Sequence, residues 1–240
     1  MLSRTITDKL KAYETPFYLY DMDLLRRTLS RVSELAREHG YVVHYAIKAN
    51  FDPRILFEIK ESGLGIDCAS GNEVRCALEA GFAPEKIVYA GVGKRDKEIR
   101  FAISQGIFAI NCESFQELQV VDSIAAEPGV VQDVGLRINP DIDPRTNKCI
   151  DTGQADSKFG ISYEEVVSRI DEIKALKNIR VAGIHLHIGS QIRDMHVFEY
   201  LCVKVNAIAA RLTSLGLNFD FVDIGGGLGV NYDIPEREPV

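Results

Sequence analysis

The sequence predicts an α/β fold of the (β/α)8-barrel type, and three observations lead to this prediction. Short apolar segments rich in β-branched residues alternate with longer amphipathic segments along nearly the whole chain, which indicates parallel strands joined by right-handed helical crossovers. No Gly-x-Gly-x-x-Gly turn follows an early strand, so an open dinucleotide-binding sheet is disfavoured. Polar and titratable residues concentrate where the strands end, and barrels of this type build their active sites at that edge.

Seven segments have the length and apolar character of buried strands. They are residues 42–47, 64–68, 86–90, 108–111, 134–138, 181–188 and 219–224. The helical patterns between them cover residues 53–62, 71–80, 97–105, 115–125, 164–176 and 195–215. Ser114 and Glu117 have the spacing of a capping box at a helix start. Gly81, Gly106 and Gly216 stand where helices are expected to end.

The two ends of the chain depart from a simple barrel. Residues 17–20 precede a long helical pattern over 23–38, so we expect residues 1–22 to contribute to a separate β domain and residues 23–240 to form the barrel. The chain stops soon after the seventh predicted strand. We therefore expect a barrel truncated before its eighth strand, without a C-terminal β domain, since an open sheet would leave two unpaired strand edges.

Composition and charge exclude several classes of function. The formal net charge is -7, which argues against attraction to nucleic acid or to an anionic membrane surface. We find no signal-peptide pattern and no apolar run of the roughly 20 residues that a membrane helix needs. Five scattered cysteines without a Cys-x-x-Cys pair are typical of reduced thiols in a cytoplasmic protein, and they predict neither a disulfide framework nor a zinc site.

Lys48 and a glycine run are the first candidates for chemistry. Lys48 ends an apolar strand, where desolvation would favour the neutral amine that attacks a carbonyl to form an imine; the alternative is a solvated lysine. Gly225, Gly226 and Gly227 follow the last predicted strand. Their backbone N–H groups could form an anion-binding concavity for phosphate, or they could form only a tight turn.

Histidine and arginine side chains supply a second group of candidates. His185 and His187 lie two residues apart and so share one face of a strand. The pair could bind a metal, but no third ligand is evident; His187 could instead stack on a planar cofactor with Ser190 bonding a phosphate oxygen, while His185 is expected to be an interior residue. Arg137 lies within an apolar strand and requires either a phosphate or a structural carboxylate.

Several motifs together resemble those of the fold-type III pyridoxal-phosphate decarboxylases. They are Tyr-Ala-Ile-Lys-Ala-Asn ending at Asn50, Asp-Cys-Ala-Ser from Asp67, Lys-Phe-Gly-Ile from Lys158, His-Ile-Gly-Ser-Gln from His187 and Asp-Ile-Gly-Gly-Gly from Asp223. The resemblance extends from about Pro16 to Tyr232. Within the family it is strongest to the branch that decarboxylates diaminopimelate, because of Gln191 and of the segment from Arg137 through Thr152-Gly153 to Lys158.

The resemblance implies a role for each of these residues. Lys48 would bond covalently to the aldehyde of pyridoxal 5'-phosphate, and His187 would stack on its ring; both would be catalytic. The remaining cofactor-binding residues would be Asp67, Arg137, Ser190, Gly225, Gly226 and Gly227. The implied reaction converts an amino acid, meso-diaminopimelate, to lysine and carbon dioxide in a homodimer, without a metal ion.

The chain lacks motifs that the family carries in its later part, namely a Glu-Pro-Gly-Arg segment, a catalytic cysteine and a cofactor-contacting tyrosine. We therefore expect this polypeptide alone to have little or no decarboxylase activity. Three alternatives stay open at this point. They are a decarboxylase of the same family acting on ornithine, arginine or carboxynorspermidine, a non-catalytic cofactor-binding homologue, and a metal-dependent barrel hydrolase that uses His185 and His187.

Overall fold

The computed structural model describes residues 4–140, 142 and 159–232, and it divides the chain into two compact units, residues 1–42 and 43–240. The first unit contains helices α1, Arg4–Leu10, and α2, Met22–His39. Helix α2 begins where the Asp21 carboxylate accepts a hydrogen bond from the Leu24 N–H and ends at Gly40, whose φ of 72° only glycine adopts readily. Residues 17–20 lie between the two helices and form no strand. The contribution of residues 1–22 to a β domain therefore stays a prediction.

The second unit contains eight parallel strands and seven α-helices among its described residues. The strands are β1 His44–Ala46, β2 Gly65–Cys68, β3 Ile87–Tyr89, β4 Ala109–Cys112, β5 Gln132–Asn139, β6 Ile161–Ser162, β7 Ile179–His185 and β8 Phe221–Asp223. The helices are α3 Pro53–Glu61, α4 Gly71–Glu79, α5 Asp96–Gln105, α6 Phe115–Ala126, α7 Tyr163–Ser168, α8 Ile170–Ala175 and α9 Met195–Ser214.

The strands pair in the order β1-β2-β3-β4-β5-β7-β8, and the short β6 pairs with β5 outside this path. All seven predicted strands are present in the predicted order, which confirms the α/β barrel class. The two-residue strand β6 was not predicted. The helix expected over residues 164–176 is divided into α7 and α8, which meet at Arg169, where φ is -110° and ψ is 20°.

The apolar core lies between the sheet and its helices. Alternate strand residues such as Ile66, Ile110, Leu136 and Ile184 are fully buried, as expected for strands covered by helices. The covering helices begin at side-chain caps: the Ser70 hydroxyl accepts from the Glu73 N–H in α4, and comparable caps start α3, α6, α7 and α9. Strand ends and helix starts are thus fixed relative to each other.

The opposite face of the sheet points into the barrel, where glycines make room for larger neighbours. His44, Asn111 and Phe221 are each paired in register with a glycine on the adjacent strand. A Cβ atom on any of these glycines (Gly65, Gly135 and Gly183) would overlap the partner's side chain. The missing side chains of these glycines therefore leave the space that the polar and aromatic side chains of their partners occupy.

Candidate functional site

Five charged or titratable side chains come together at the carboxyl ends of the strands: Lys48, Asp67, Arg137, His187 and Asp223. The charges of Asp223, Lys48 and Arg137 all act on the pKa of Asp67, and the same three act on the pKa of His187. These residues belong to strands or turns far apart in sequence. The curled sheet brings them to one edge, as predicted for a barrel active site.

Asp67 on β2 has a pKa well above its ordinary value. Burial, the Asp223 carboxylate and the Glu73 carboxylate raise its pKa to about 6, against the opposing effects of Lys48 and Arg137. The carboxyl group therefore changes its protonation near neutral pH, unlike an ordinary aspartate. Shifts of this kind occur most often at functional sites.

Lys48 lies just beyond β1, in a one-turn 3-10 helix over Ile47–Ala49. Ile47 is fully buried, whereas Lys48 itself is exposed. Of the two alternatives drawn from the sequence, the structure therefore shows the solvated lysine, because the chain leaves β1 one residue earlier than predicted. The amine is accessible at the edge where Asp67 and His187 lie.

His187 follows β7 and is half-buried. Burial first, and then the positive charges of Arg137 and Lys48 and the neighbouring His185, lower its pKa to about 4 although Asp223 opposes them. The ring is thus neutral at pH 7. Its Nδ1 atom accepts a hydrogen bond from the Gly226 N–H at 3.3 Å, which fixes the tautomer with the proton on Nε2.

The glycine run turns sharply beneath this histidine. Gly225 has a φ of 71° and Gly227 a φ of 105°, values that side-chain-bearing residues rarely adopt. A Cβ at Gly225 would overlap the Leu186 carbonyl oxygen, whereas a Cβ at Gly226 would meet nothing within 4 Å. The run is thus closely packed at Gly225 and Gly227 and has open space at Gly226. The Gly225 N–H donates a hydrogen bond to the Asp223 carboxylate at 2.8 Å.

Gln191 joins the glycine run to the turn that carries Ser190. Its side-chain amide donates to the Val230 carbonyl at 3.1 Å, and its side-chain oxygen accepts from the Val230 N–H at 2.9 Å. Gln191 does so with a φ of 57°. The Ile192 N–H donates to the Gly227 carbonyl beside this pair, so the loops that follow β7 and β8 are held together.

Arg137 on β5 is buried and forms an ion pair with Glu113 at 2.5 Å. Its guanidinium also lies 4.7 Å from the centre of the Phe159 ring. The structural ion pair considered from the sequence is therefore present. Contact of Arg137 with a cofactor stays a prediction, supported by the effect of its charge on Asp67 and His187.

Three residues of this edge were given no role from the sequence: Asn111, Glu113 and Asp223, of which Asp223 was named only as the first residue of a motif. The Asp223 carboxylate accepts from the Asn111 amide at 3.2 Å and lies 4.0 Å from Nε2 of His185. His185 is buried as expected, but its Nδ1 has no hydrogen-bond partner among the described residues. Asn111 and Glu113 could have been recognised from the sequence, because they are polar residues at the end of an apolar strand. Buried polar groups normally have a partner or a function.

The described residues show neither a metal-binding cluster nor a helix suited to cross a membrane. No group of three or more histidine, cysteine or carboxylate side chains within residues 4–140, 142 and 159–232 is arranged to hold a metal ion. In the same part of the chain, no helix combines the length and the apolar character that a membrane crossing requires. The predicted motif residues Asp141, Thr152, Gly153 and Lys158 lie outside the described residues.

Residues 23–239 match the family model of the pyridoxal-binding domain of pyridoxal-dependent decarboxylases. The chain belongs to this family. The match covers both the strands and the edge described above, and it confirms the pyridoxal cofactor and the family predicted from the motifs.

Curated members of the decarboxylase family resemble the chain over nearly its whole length. It is 46% identical over 234 residues to the diaminopimelate decarboxylase of Bacteroides thetaiotaomicron, with 97% of this chain and 61% of the relative covered. It is 37% identical to the enzyme of the same name from Aquifex aeolicus, with 98% of this chain and 56% of the relative covered. The chain thus spans about six-tenths of the length of these relatives.

Solved structures of the decarboxylase family have the same fold. Diaminopimelate decarboxylase from Helicobacter pylori, complexed with L-lysine, matches with a TM-score of 0.88 and 34% identity over 98% of this chain and 59% of that chain. An arginine decarboxylase from Paramecium bursaria Chlorella virus matches with a TM-score of 0.80 and 26% identity, over 95% of this chain and 60% of that chain. The family thus includes members with different amino-acid substrates.

Proposed function

We propose that the protein decarboxylates meso-diaminopimelate to L-lysine and carbon dioxide, and that these residues form its pyridoxal-phosphate-binding domain. The observation that carries the proposal is the convergence of Lys48, Asp67, Arg137 and His187 at one barrel edge. The relatives named diaminopimelate decarboxylase, at 46% and 37% identity, support the substrate.

The residues at this edge fit the chemistry of pyridoxal phosphate. Lys48 offers an exposed primary amine to an aldehyde. His187 offers a flat ring that is uncharged at neutral pH. The glycine run is open at Gly226, so an anion can approach its backbone closely. When bound, the cofactor supplies an electron sink for the pair released as carbon dioxide leaves.

Each side chain then has a defined task. We assign to Lys48 the covalent attachment of the cofactor carbonyl, and to His187 the support of one face of the ring. Arg137 lies beside the cofactor, and Ser190 with the run Gly225, Gly226 and Gly227 holds the phosphate. The N–H groups of Gly225 and Gly226, bonded here to Asp223 and His187, exchange these partners for the phosphate when it binds. Asp67 exchanges a proton near neutral pH and shares its surroundings with Lys48, so it can accept or return a proton at the lysine amine.

The organisation of the whole protein is also proposed. The family resemblance supports a cytoplasmic homodimer with no nucleic-acid partner. Residues 17–20 support a contribution of the first 22 residues to a β domain, because Phe17, Tyr18, Leu19 and Tyr20 are all exposed, Tyr18 at 90%. Sedimentation equilibrium of the complete protein tests the dimer, and a monomer at micromolar concentration would contradict it.

A trapping experiment tests the assignment of Lys48. The complete protein is titrated with pyridoxal phosphate, the bound form is followed by absorbance, and the adduct is reduced with borohydride and located by peptide mapping. We expect the adduct on Lys48 and its loss in Lys48→Ala. Lys86→Ala is the matched control, because Lys86 bonds to the Gly63 carbonyl at the opposite edge of the barrel. An adduct that persists in Lys48→Ala would refute the assignment.

A second experiment tests the substrate. The complete protein with bound cofactor is supplied separately with meso-diaminopimelate, ornithine and arginine, and each expected amine or lysine product is quantified. We expect lysine from diaminopimelate at a rate well above those of the other two products. A preference for arginine or ornithine would place the protein in another branch of the family, and no product from any substrate would favour a non-catalytic homologue.

A further inference from the structure

Glu113 uses both carboxylate oxygens inside the protein, at the end of β4. One oxygen accepts a hydrogen bond from Nη1 of Arg137 at 2.5 Å, and the other accepts from the Gly160 N–H at 3.2 Å. The side chains of Glu113 and Arg137 are only 6% and 7% exposed. A single carboxylate therefore holds both the arginine and the segment at Phe159-Gly160 on which the guanidinium rests.

Glu113 is itself held by a second ion pair, between the buried Lys94 and the half-buried Glu117. One oxygen of Glu117 accepts from the Glu113 N–H at 2.6 Å, and the other accepts from the Lys94 amine at 2.8 Å. Lys94 is 1% exposed and also donates to the carbonyls of Gly91 and Asn111, each at 2.7 Å. The backbone of Glu113 thus has little freedom, because all three donors of Lys94 fix its surroundings.

The network ends at the proposed cofactor edge. The charge of Arg137 acts on Asp67 and on His187, so the guanidinium lies within electrostatic reach of both. A buried guanidinium needs a carboxylate to fix its direction, since its planar donors bond strongly only in the correct orientation. Glu113 supplies that carboxylate, with one oxygen bonded to Arg137 and the other to the Gly160 N–H.

We propose that Glu113 is a positioning residue that holds Arg137 toward the pyridoxal phosphate, with Glu117 and Lys94 as its support. The inference rests on the proposed function, since it assumes that Arg137 contacts the cofactor. It assigns Glu113 no contact with the cofactor or the substrate. The role of Glu113 is to fix the orientation of the Arg137 guanidinium before the cofactor binds.

A double-mutant cycle tests the proposal in the complete protein. The dissociation constant of pyridoxal phosphate is measured by absorbance titration for the wild type, Glu113→Gln, Arg137→Met and the double variant. We expect each single variant to weaken binding by about 10- to 100-fold, as for loss of one charged hydrogen bond. The double variant should bind no more weakly than Arg137→Met, because Glu113 acts only through the arginine.

The control is Glu127→Gln, which removes an exposed ion pair with Arg100 just after α6 and should leave cofactor binding unchanged. Urea unfolding of every variant provides the structural readout. If Glu113 were important only for folding, its effect would persist in the Arg137→Met background and would follow the free energy of unfolding. If Glu113→Gln does not fold, Glu113→Asp replaces it, with an intermediate affinity expected.

The outcomes separate this inference from the proposed function. Unchanged affinity in Glu113→Gln, with a wild type that binds the cofactor, would overturn the positioning role and leave the proposed function intact. A further loss in the double variant beyond Arg137→Met would also overturn it. A wild type that binds no pyridoxal phosphate would overturn the proposed function, and the role of Glu113 with it.

Discussion

Asn111 and Asp223 are 112 positions apart in the chain, yet their side chains are joined by a hydrogen bond of 3.2 Å. Asn111 lies on β4 and Asp223 on β8, two strands that are not neighbours in the sheet. The bond therefore crosses the barrel interior. Through its other oxygen, Asp223 accepts from the Gly225 N–H. One carboxylate thus links strand β4 to the first residue of the glycine run.

Asn111→Asp should destabilise the protein in a pH-dependent manner. Asn111 is fully buried, and the substitution places a carboxylate against Asp223 and removes the donor between them. We expect a loss of about 1–3 kcal/mol in the free energy of unfolding at pH 8, and a smaller loss at pH 5 because one of the two carboxyl groups then takes up a proton. Urea unfolding at both pH values measures the effect.

Asn72→Asp is the control for that experiment, since it makes the same chemical change on the exposed side of α4. It should change stability by no more than about 0.5 kcal/mol. Equal stability of Asn111→Asp and the wild type at pH 8 would show that the bond across the interior does not contribute.

Asp67 should make stability depend on pH in the opposite direction to an ordinary aspartate. Its folded pKa is raised to about 6, above the unfolded value, so the folded state binds the additional proton when the pH falls from 7 to 5. Protonation thus stabilises the folded state over this range, by about 1 kcal/mol for the shift cited. Relative to Asp67→Asn, whose side chain does not titrate, the wild type should gain about 1 kcal/mol in its free energy of unfolding when the pH falls from 7 to 5.

Urea unfolding of the wild type and Asp67→Asn at pH 7, 6 and 5 checks this prediction. Other groups cancel in the difference, including His187, whose lowered pKa acts in the opposite direction because its unfolded state takes up the proton first. A difference that is constant across the three pH values would contradict the raised pKa of Asp67.

Gln191→Gly and Gln191→Ala should distinguish the backbone strain at Gln191 from the contribution of its side-chain hydrogen bonds. Both variants lose the two hydrogen bonds to Val230, but only glycine adopts the φ of 57° without strain. We expect Gln191→Gly to be more stable than Gln191→Ala by about 1 kcal/mol. Both should bind pyridoxal phosphate several-fold more weakly, because the loops after β7 and β8 are no longer joined.

Thermal unfolding and cofactor titration together check the two parts of that prediction. Val203→Ala, an exposed substitution on α9, serves as the control. Unchanged affinity in Gln191→Gly would show that Gln191 stabilises the turn without affecting the cofactor site.

Lys94→Met should be among the most destabilising single substitutions in the barrel. It leaves the half-buried Glu117 carboxylate without its cation and frees two main-chain carbonyls. Removal of one partner of a buried ion pair typically costs about 3–5 kcal/mol. The double variant Lys94→Met with Glu117→Gln should recover part of the loss, since the amide is uncharged and its oxygen can still accept from the Glu113 N–H.

Urea unfolding of the single and double variants measures this recovery. Lys174→Met is the matched control, because Lys174 forms an exposed ion pair with Asp171; it should change stability by less than about 0.5 kcal/mol. A double variant as unstable as Lys94→Met would show that the lost bonds to the carbonyls dominate, and that the charge of Glu117 does not.

The sequence predicted the elements whose signal is local. Strands such as β2 and β4 are short apolar runs, and the helix start that follows β4 was visible in the sequence as a capping box at Ser114. Strand β6 has two residues, too few for a pattern to distinguish. The break at Arg169 between α7 and α8 has no glycine or proline to mark it, so the amphipathic pattern continues through it.

The sequence by itself determined the barrel class, the order of its strands and the edge that carries Lys48, Asp67, His187 and the glycine run. These follow from periodicity and from the motifs, because each depends on residues close together in the chain. Only the tertiary structure decided that Lys48 is exposed, that Asp67 titrates near pH 6 and that Arg137 is paired with Glu113. Burial and pairing depend on neighbours that the curled sheet brings from distant strands, and a linear pattern does not record those distances.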